Sequence, residues 1–216
     1  MMALISWDVA HNQVVIGGQW LATKYGTGGI VQARNDTVKS FLESDSDWLF
    51  WIDTDMGFLP DTVDRLIAAA DPVERPIVGG LCFMNREIGP DGYGGMFIQP
   101  VPTIFDWWKN EVGGGFEARK DYERDALLQV AGTGSACILI HRNAFTKMAD
   151  TYGMAWYSPV QSTIDGLWLS EDLSFCMRAA ACEIPVHVHT GVKTTHYKHM
   201  WLDERLCDRI ERMEKP

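Results

Sequence analysis

The chain has 216 residues, 46% of them hydrophobic and 22% charged, with a formal net charge of −10. That composition suits one globular domain with a sizeable core and excludes a disordered chain. The acidic balance removes the global basic field that draws proteins to nucleic acid or anionic membranes, although a local groove can differ from the whole.

Met1 to Trp7 lacks a basic region followed by a long apolar stretch, so no signal peptide is expected. Ala3 to Ser6 is a short strand candidate. Gly26-Thr27-Gly28-Gly29 is a glycine-rich turn leading into a predicted helix over Ile30 to Glu43, which carries Arg34 and Asn35. Glycine amides at a helix start can take a phosphate, but the pattern matches neither GxGxxG nor the P-loop lysine motif, and an ordinary loop fits as well. Trp48-Leu49-Phe50-Trp51-Ile52 is a continuous apolar run of strand length, the pattern of a strand buried on both faces. Pro60 opens a helix with Val63, Leu66, Ile67 and Ala70 on one face. Ile77 to Leu81 reads as the next strand.

The stretch from Arg86 to Gln129 is rich in Gly and aromatics and shows little periodicity, so it reads as a long irregular insertion, a lid or binding loop over the sheet edge. Val130 to Ile140 holds another strand, interrupted by Gly132 and Gly134. Leu173, Cys176, Met177 and Ala180 repeat a helical spacing, and Ile184 to Val188 returns to strand. Leu202, Leu206, Ile210 and Met213 mark a C-terminal helix over about 201–213. Its Arg205, Arg209 and Arg212 interleave with Glu204, Asp208 and Glu211, which favours a solvated, ion-paired face over a membrane-surface role. The alternation of strands and helices predicts an α/β fold with a mixed, mostly parallel sheet flanked by helices. No repeat or linker divides the chain, so 1–216 is expected to be a single domain.

Five cysteines occur, Cys82, Cys137, Cys176, Cys182 and Cys207. The odd number and the absence of a CxxC pair argue against a disulfide framework or structural zinc and fit reduced thiols in a cytoplasmic protein. No apolar run approaches the roughly 20 residues that span a bilayer, so no transmembrane segment is expected. The compact length is compatible with a small bacterial or phage enzyme, and a homo-oligomer is compatible with the same composition.

Asp53-Thr54-Asp55 follows the apolar run directly, at the strand end where open α/β sheets place their ligands. Carboxylates two residues apart can reach one hard cation, and Mg2+ or Mn2+ binds one or two carboxylates plus substrate phosphates. Carboxylates beside a buried strand need a reason to be there. Ser170-Glu171-Asp172 opens a predicted helix. Helix capping explains it, with Ser170 as N-cap and the acids at the positive end of the dipole. A general base that deprotonates an acceptor hydroxyl explains it too, and the two roles are compatible. His187, His189, His196 and His199 fall close together. His187 and His189 share a strand face, as a zinc-type site would need, but lack a carboxylate or thiolate partner at ligand spacing. Gly132-Thr133-Gly134-Ser135-Ala136 would let a ligand or a second backbone approach, or form a bulge.

Taken in order, "WLFWIDTDMGFLPDTVDRLI", "PIVGGLCF", "VAGTGSACILIHRNAF" and "SEDLSFCMRAAACEIPVHVHTGVKTTHY" resemble the family 2 type glycosyltransferases with the GT-A fold, a Rossmann-like architecture. The resemblance covers about Gly26 to His199. It implies that Asp53 and Asp55 are the DxD pair, Asp55 on the metal and Asp53 at the ribose or metal. It implies that Asp172 is the base, with Glu171 beside it, and that His196 is a further metal ligand. Arg34 and Asn35 match an "ARN" element near the nucleotide, and Gly132 and Gly134 line the sugar and acceptor site. The usual N-terminal strand ending is reduced here to Ala3-Leu4-Ile5-Ser6-Trp7-Asp8, with Asp8 the candidate for base recognition. In the insertion, Tyr93, Phe97, Trp107 and Trp108 are available to stack on an acceptor.

The expectation is therefore a glycosyltransferase dependent on Mn2+ or Mg2+. It would move a sugar from a UDP- or GDP-sugar to an acceptor hydroxyl, with inversion; the acceptor could be a glycan, a lipid, a protein or a modified nucleobase. A nucleotidyltransferase on a related fold would need a basic, glycine-rich triphosphate signature near the N-terminus. A non-catalytic module binding sugar nucleotides or glycans has no need of the intact DTD, ED and His elements.

Overall fold

The computed structural model describes residues 29–90, 96–111, 113–162, 166–197, 201, 202 and 204. Ala3 to Ser6, Asp8, the turn residues 26–28, Tyr93, His199 and nearly all of the expected C-terminal helix lie outside the described residues.

Helix α1 (Gly29–Leu42) starts at a glycine with φ +65° and buries Ala33, Arg34, Thr37, Val38 and Phe41. Their spacing of three and four places them on one stripe. Strand β1 (Trp48–Ile52) runs to the acidic triplet, and β2 (Met56–Phe58) follows it. Helix α2 (Thr62–Ala69) buries Val63 and Leu66, whereas Ile67, expected on the same stripe, is exposed. Strand β3 (Ile77–Leu81) is buried throughout. Next come β4 (Phe83–Pro90), β5 (Met96–Pro102), β6 (Ile104–Lys109), β7 (Gly114–Ala118), β8 (Leu127–Val130), β9 (Gly132–Thr133) and β10 (Cys137–His141). Helices α3 (Arg142–Tyr152) and α4 (Glu171–Ala181) precede the long strand β11 (Val186–Tyr197), and β12 (Trp201–Leu202) ends the described chain.

The main sheet has the order β1-β10-β3-β11-β12, with β2 and β8 also paired to β11. Its strands separate two apolar clusters. Leu49, Trp51, Ile138 and Ile140 pack with Val38 and Phe41 of α1, Phe145 and Met148 of α3, and Phe175 and Ala179 of α4. Val78, Leu139 and Cys137 pack with Leu66 of α2, Met56 and Val192. The result is an α/β fold with a mixed sheet flanked by helices. No helix of the described residues is long and apolar enough to cross a membrane.

Three expectations need correction. The sheet is not mostly parallel: among the described pairings only β3 with β11 is parallel. Strand β10 lies antiparallel between β1 and β3, with Phe50 opposite Leu139 and Ile138 opposite Gly79. An apolar run reports burial on two faces but carries no sign of direction, which is why "CILIH" did not reveal its orientation. β1, β3 and β11 nevertheless point the same way.

The second correction concerns the insertion over 86–129, whose described residues are not irregular. β4 and β5 form an antiparallel ribbon, and β7-β6-β9 forms a small sheet. Two of its glycines serve packing: a side chain at Gly114 would meet Trp108 O at 2.8 Å, and Gly115 lies under the Trp108 indole. Third, Trp201 and Leu202 are paired as strand to Tyr197 and His196, where the helix was expected to begin.

Candidate functional site

The acidic triplet bridges two strands with different partners. The Asp53 N–H donates to Ala136 O at 2.9 Å, which ties it to the start of β10. The Met56 N–H donates to Asp53 O at 3.1 Å and closes the turn, and the Tyr197 N–H donates to Asp55 O at 2.9 Å. The two carboxylates thereby enter different neighbourhoods.

Asp55 faces His196, with Oδ2 3.1 Å from Nε2. The other ring nitrogen, Nδ1, lies 2.9 Å from Phe83 O. A carbonyl only accepts, so Nδ1 carries the hydrogen, and Nε2 either shares a second proton with Asp55 or offers its lone pair. A pair spaced like this suits adjacent ligands of one cation with bonds of about 2.1 Å. The backbone carbonyl that fixes the imidazole is the usual outer support of a metal-ligating histidine.

Asp53 belongs to a second group, built on Arg34. The Arg34 side chain is 4% exposed, and its guanidinium lies 3.6 Å from Asp53 Oδ1, 3.8 Å from Glu171 Oε1 and 3.7 Å from Asp172 Oδ1. Nη1 donates to Ser135 O at 3.3 Å. The cation also sits 5.3 Å from the centre of the Trp51 ring and 5.4 Å from that of Tyr157. Burial works against its charge, but Asp172, then Tyr157, Asp53 and Glu171, outweigh that effect and raise its pKa. Burial pushes the Asp53 carboxyl above its ordinary range; Arg34 opposes this, while Asp172 and Asp55 add to it. Glu171 is raised as well, by burial first and by Asp172 second.

Glu171 and Asp172 occupy the first turn of α4, whose N-cap Ser170 accepts the Leu173 N–H at 3.3 Å, as expected of a cap. Farther along, Ser174, Phe175, Cys176, Arg178 and Ala179 are buried, so the buried stripe is not the Leu173, Cys176, Met177, Ala180 series. Asp172 presents two different oxygens. Oδ1 is buried beside Arg34 without a hydrogen bond, and so is Arg34 Nε. Oδ2 points toward Gly134, where an added Cβ would come no closer than 3.8 Å.

The sequence-derived residues thus fall into three sets. Arg34, Asp53, Glu171 and Asp172 converge, with Gly134 beside them. Asp55 and His196 form the adjoining pair. Asn35 and Gly132 do something else. Asn35 Oδ1 accepts the Tyr157 N–H at 2.9 Å, which anchors the loop before α4 rather than joining the cluster. An added Cβ at Gly132 would meet Phe116 at 2.8 Å and Leu173 at 3.0 Å, so this glycine lets α4 and the β6–β7 ribbon approach each other.

Among the described residues no three His, Cys, Asp or Glu side chains gather as a metal cluster. The expected trio of Asp53, Asp55 and His196 is therefore a pair plus one carboxylate turned to Arg34. His189 Nδ1 accepts the Gly191 N–H at 3.1 Å, and among the described residues no third ligand-type side chain gathers with it and His187. Cys82, Cys137, Cys176 and Cys182 are buried free thiols, and burial pushes Cys176 up to about 12. A thiol raised in this way stays protonated, which suits a packing role for Cys176.

Sequence reasoning missed the hub. It placed Arg34 near a nucleotide and did not see that it faces three carboxylates. The available signal was its place on the apolar stripe of α1, with Val38 and Phe41 at the fourth and seventh positions after it. Tyr157 gave no signal, because it lies in an irregular stretch brought in by tertiary packing.

The fold defines a mixed α/β protein with its acidic site at the ends of β1 and β11 and the start of α4. Among solved structures the chain is similar to A197 from STIV, at a TM-score of 0.50 and 15% identity, covering 92% of this chain and 84% of that one. At that identity the likeness concerns the fold alone. No family model and no curated protein matches the chain.

Proposed function

We propose that the chain is a metal-dependent glycosyltransferase of GT-A-like architecture, taking a nucleoside-diphosphate sugar as donor. The observation that carries this reading is the convergence of Asp53, Glu171 and Asp172 on Arg34, next to the Asp55–His196 pair. A hard cation and a general base are the two chemical needs of sugar transfer from a diphosphate, and candidates for both lie side by side.

Asp55 and His196 would hold Mn2+ or Mg2+, with donor phosphates and water supplying the remaining ligands. When bound, the cation neutralises charge on the departing diphosphate. The chain's own residues do the rest. Asp172 Oδ2, beside Gly134 and apart from the buried Oδ1, accepts the proton of an acceptor hydroxyl. The acceptor oxygen bonds to the anomeric carbon as the bond from that carbon to the diphosphate oxygen breaks, and the electron pair leaves on the diphosphate. Attack opposite the leaving group inverts the anomeric centre. Glu171 stands beside the base, and Arg34 keeps the two acids facing Asp53. Trp107 and Trp108, both half-exposed on β6, supply flat apolar faces for an acceptor.

The test is a screen of UDP- and GDP-sugars with Mn2+, reading donor hydrolysis and transfer for wild type and Asp172→Ala. Turnover by wild type alone supports the reading. Triphosphate consumption in place of diphosphate-sugar turnover would point to a nucleotidyltransferase, and binding unchanged by Asp172→Ala without turnover would point to a binding module.

A further inference from the structure

We propose that Arg34 is a built-in counter-ion that occupies Asp53 until the donor arrives, so that the site holds its cation firmly only together with the diphosphate. This rests on the reading of the site as a metal–diphosphate centre, and it assigns Arg34 a positioning role.

Three facts lead to it. First, the Arg34 guanidinium lies within 3.8 Å of three carboxylates, one from the acidic triplet and two from α4, although these segments are far apart in the chain. It is the positive charge that allows such a group of acids to assemble without a ligand. Second, the cation is almost wholly buried, at 4% side-chain exposure, and is clamped by Trp51, Tyr157 and the Ser135 carbonyl. A charge fixed in such surroundings is weakly screened, so it repels a second cation nearby. Third, each of the three ion pairs is longer than a hydrogen bond, and Arg34 Nε has no hydrogen-bond partner despite its burial. The guanidinium is held near its acids but hydrogen-bonded to none of them, so an incoming phosphate can compete for its charge without breaking a hydrogen bond to a carboxylate.

The consequence is ordered loading. With Asp53 drawn to Arg34, a free cation meets Asp55 and His196 beside a fixed positive charge. A diphosphate brings its own negative charge, satisfies the guanidinium and releases Asp53 toward the cation. Excess carboxylate charge remains to attract that cation, since three acids face one guanidinium.

Calorimetric titration of the full chain with Mn2+ alone, and with Mn2+ plus uridine or guanosine diphosphate, tests this. Wild type should bind Mn2+ alone weakly and more tightly with diphosphate. Arg34→Met should bind Mn2+ alone about tenfold more tightly, as the loss of one nearby unit charge implies. Arg34→Lys should stay near wild type. A purely structural arginine would give the opposite sign, weaker metal binding in step with a lower melting temperature. Should Arg34→Met unfold, Arg34→Gln removes the charge while its amide still donates to the buried acids, and it should bind Mn2+ more tightly than wild type. Unchanged or weaker Mn2+ binding in whichever variant is folded overturns the proposal. Metal affinity decides this point and donor turnover decides the function: an active wild type whose Arg34→Met variant gains no affinity refutes the counter-ion alone, whereas a wild type inert to every donor refutes the function.

Discussion

Two glycines two residues apart do opposite jobs. Gly132 sits where any side chain would meet Phe116 and Leu173 at 3.0 Å or less, while a Cβ at Gly134 would lie at ordinary contact distance, 3.8 Å, from Asp172 and Thr103. Gly132→Ala should destabilise the fold by about 1–3 kcal/mol, the usual cost of overpacking a close contact. Gly134→Ala, whose added carbon stays 3.8 Å from Asp172 Oδ2 and Thr103, should keep the melting temperature within a few degrees and impair acceptor use by narrowing the approach to Asp172 Oδ2. Thermal melts beside transfer assays separate the two. Equal loss of stability in both would make Gly134 a packing residue like Gly132. The "GTGSA" segment announced a close approach but not of what to what, because both answers use the same small residues. The DTD triplet and the acids at 171 and 172 were legible as charge placed against buried structure. The division of labour inside the triplet was not: Asp53 turns to Arg34 and Asp55 to His196, and their backbone groups bond to Ala136, just before β10, and to Tyr197, at the end of β11.

Helix α4 positions both candidate acids, and its first turn depends on one side chain. Ser170→Ala removes the acceptor for the Leu173 N–H and should cost about 1 kcal/mol. It should also lower transfer several-fold, because the fray begins at Glu171 and Asp172. Ser170→Asp, which restores a capping oxygen, should recover most of the stability. If Ser170→Ala lowers neither stability nor transfer, the cap does not position the acids. Helices α1, α2 and α4 were announced by local caps and three-four spacing, whereas α3 (Arg142–Tyr152) was not expected at all. The ribbons over 86–129 were not announced either. Their pairing partners lie across turns, and prolines and glycines at their ends resemble loop composition. Strand β10 shows the same limit at the level of direction, because its neighbours β1 and β3 come from far earlier in the sequence.

For the molecule as a whole, pH sets a measurable slope. His141, His187 and His189 are all held below the ordinary histidine range, chiefly by burial. The unfolded chain takes up these protons near pH 6.5 and the folded chain resists them. Stability is therefore full above that value and is lost as pH falls through it toward the folded values. His141 also caps α3 through Nδ1, which accepts the Asn143 N–H at 3.2 Å and cannot do so once protonated. His141→Asn keeps a capping oxygen and removes the titration, so its denaturation midpoint should vary less between about pH 7 and 5. Parallel slopes for variant and wild type would show that His141 does not contribute. Asp53 and Glu171 act in the opposite sense, because their raised values favour proton uptake by the folded state above about pH 4.

The central claim concerns the joint chemistry of two regions, the triplet with His196 and the start of α4. Its most direct test is release of nucleoside diphosphate from UDP- and GDP-sugars by the full chain with Mn2+, comparing wild type with Asp172→Asn at matched fold and melting temperature. The account predicts metal-dependent release by wild type from at least one donor and a loss of about a hundredfold or more in the variant. Release that is independent of the cation, or equal in the two proteins, or absent for every donor, would contradict it.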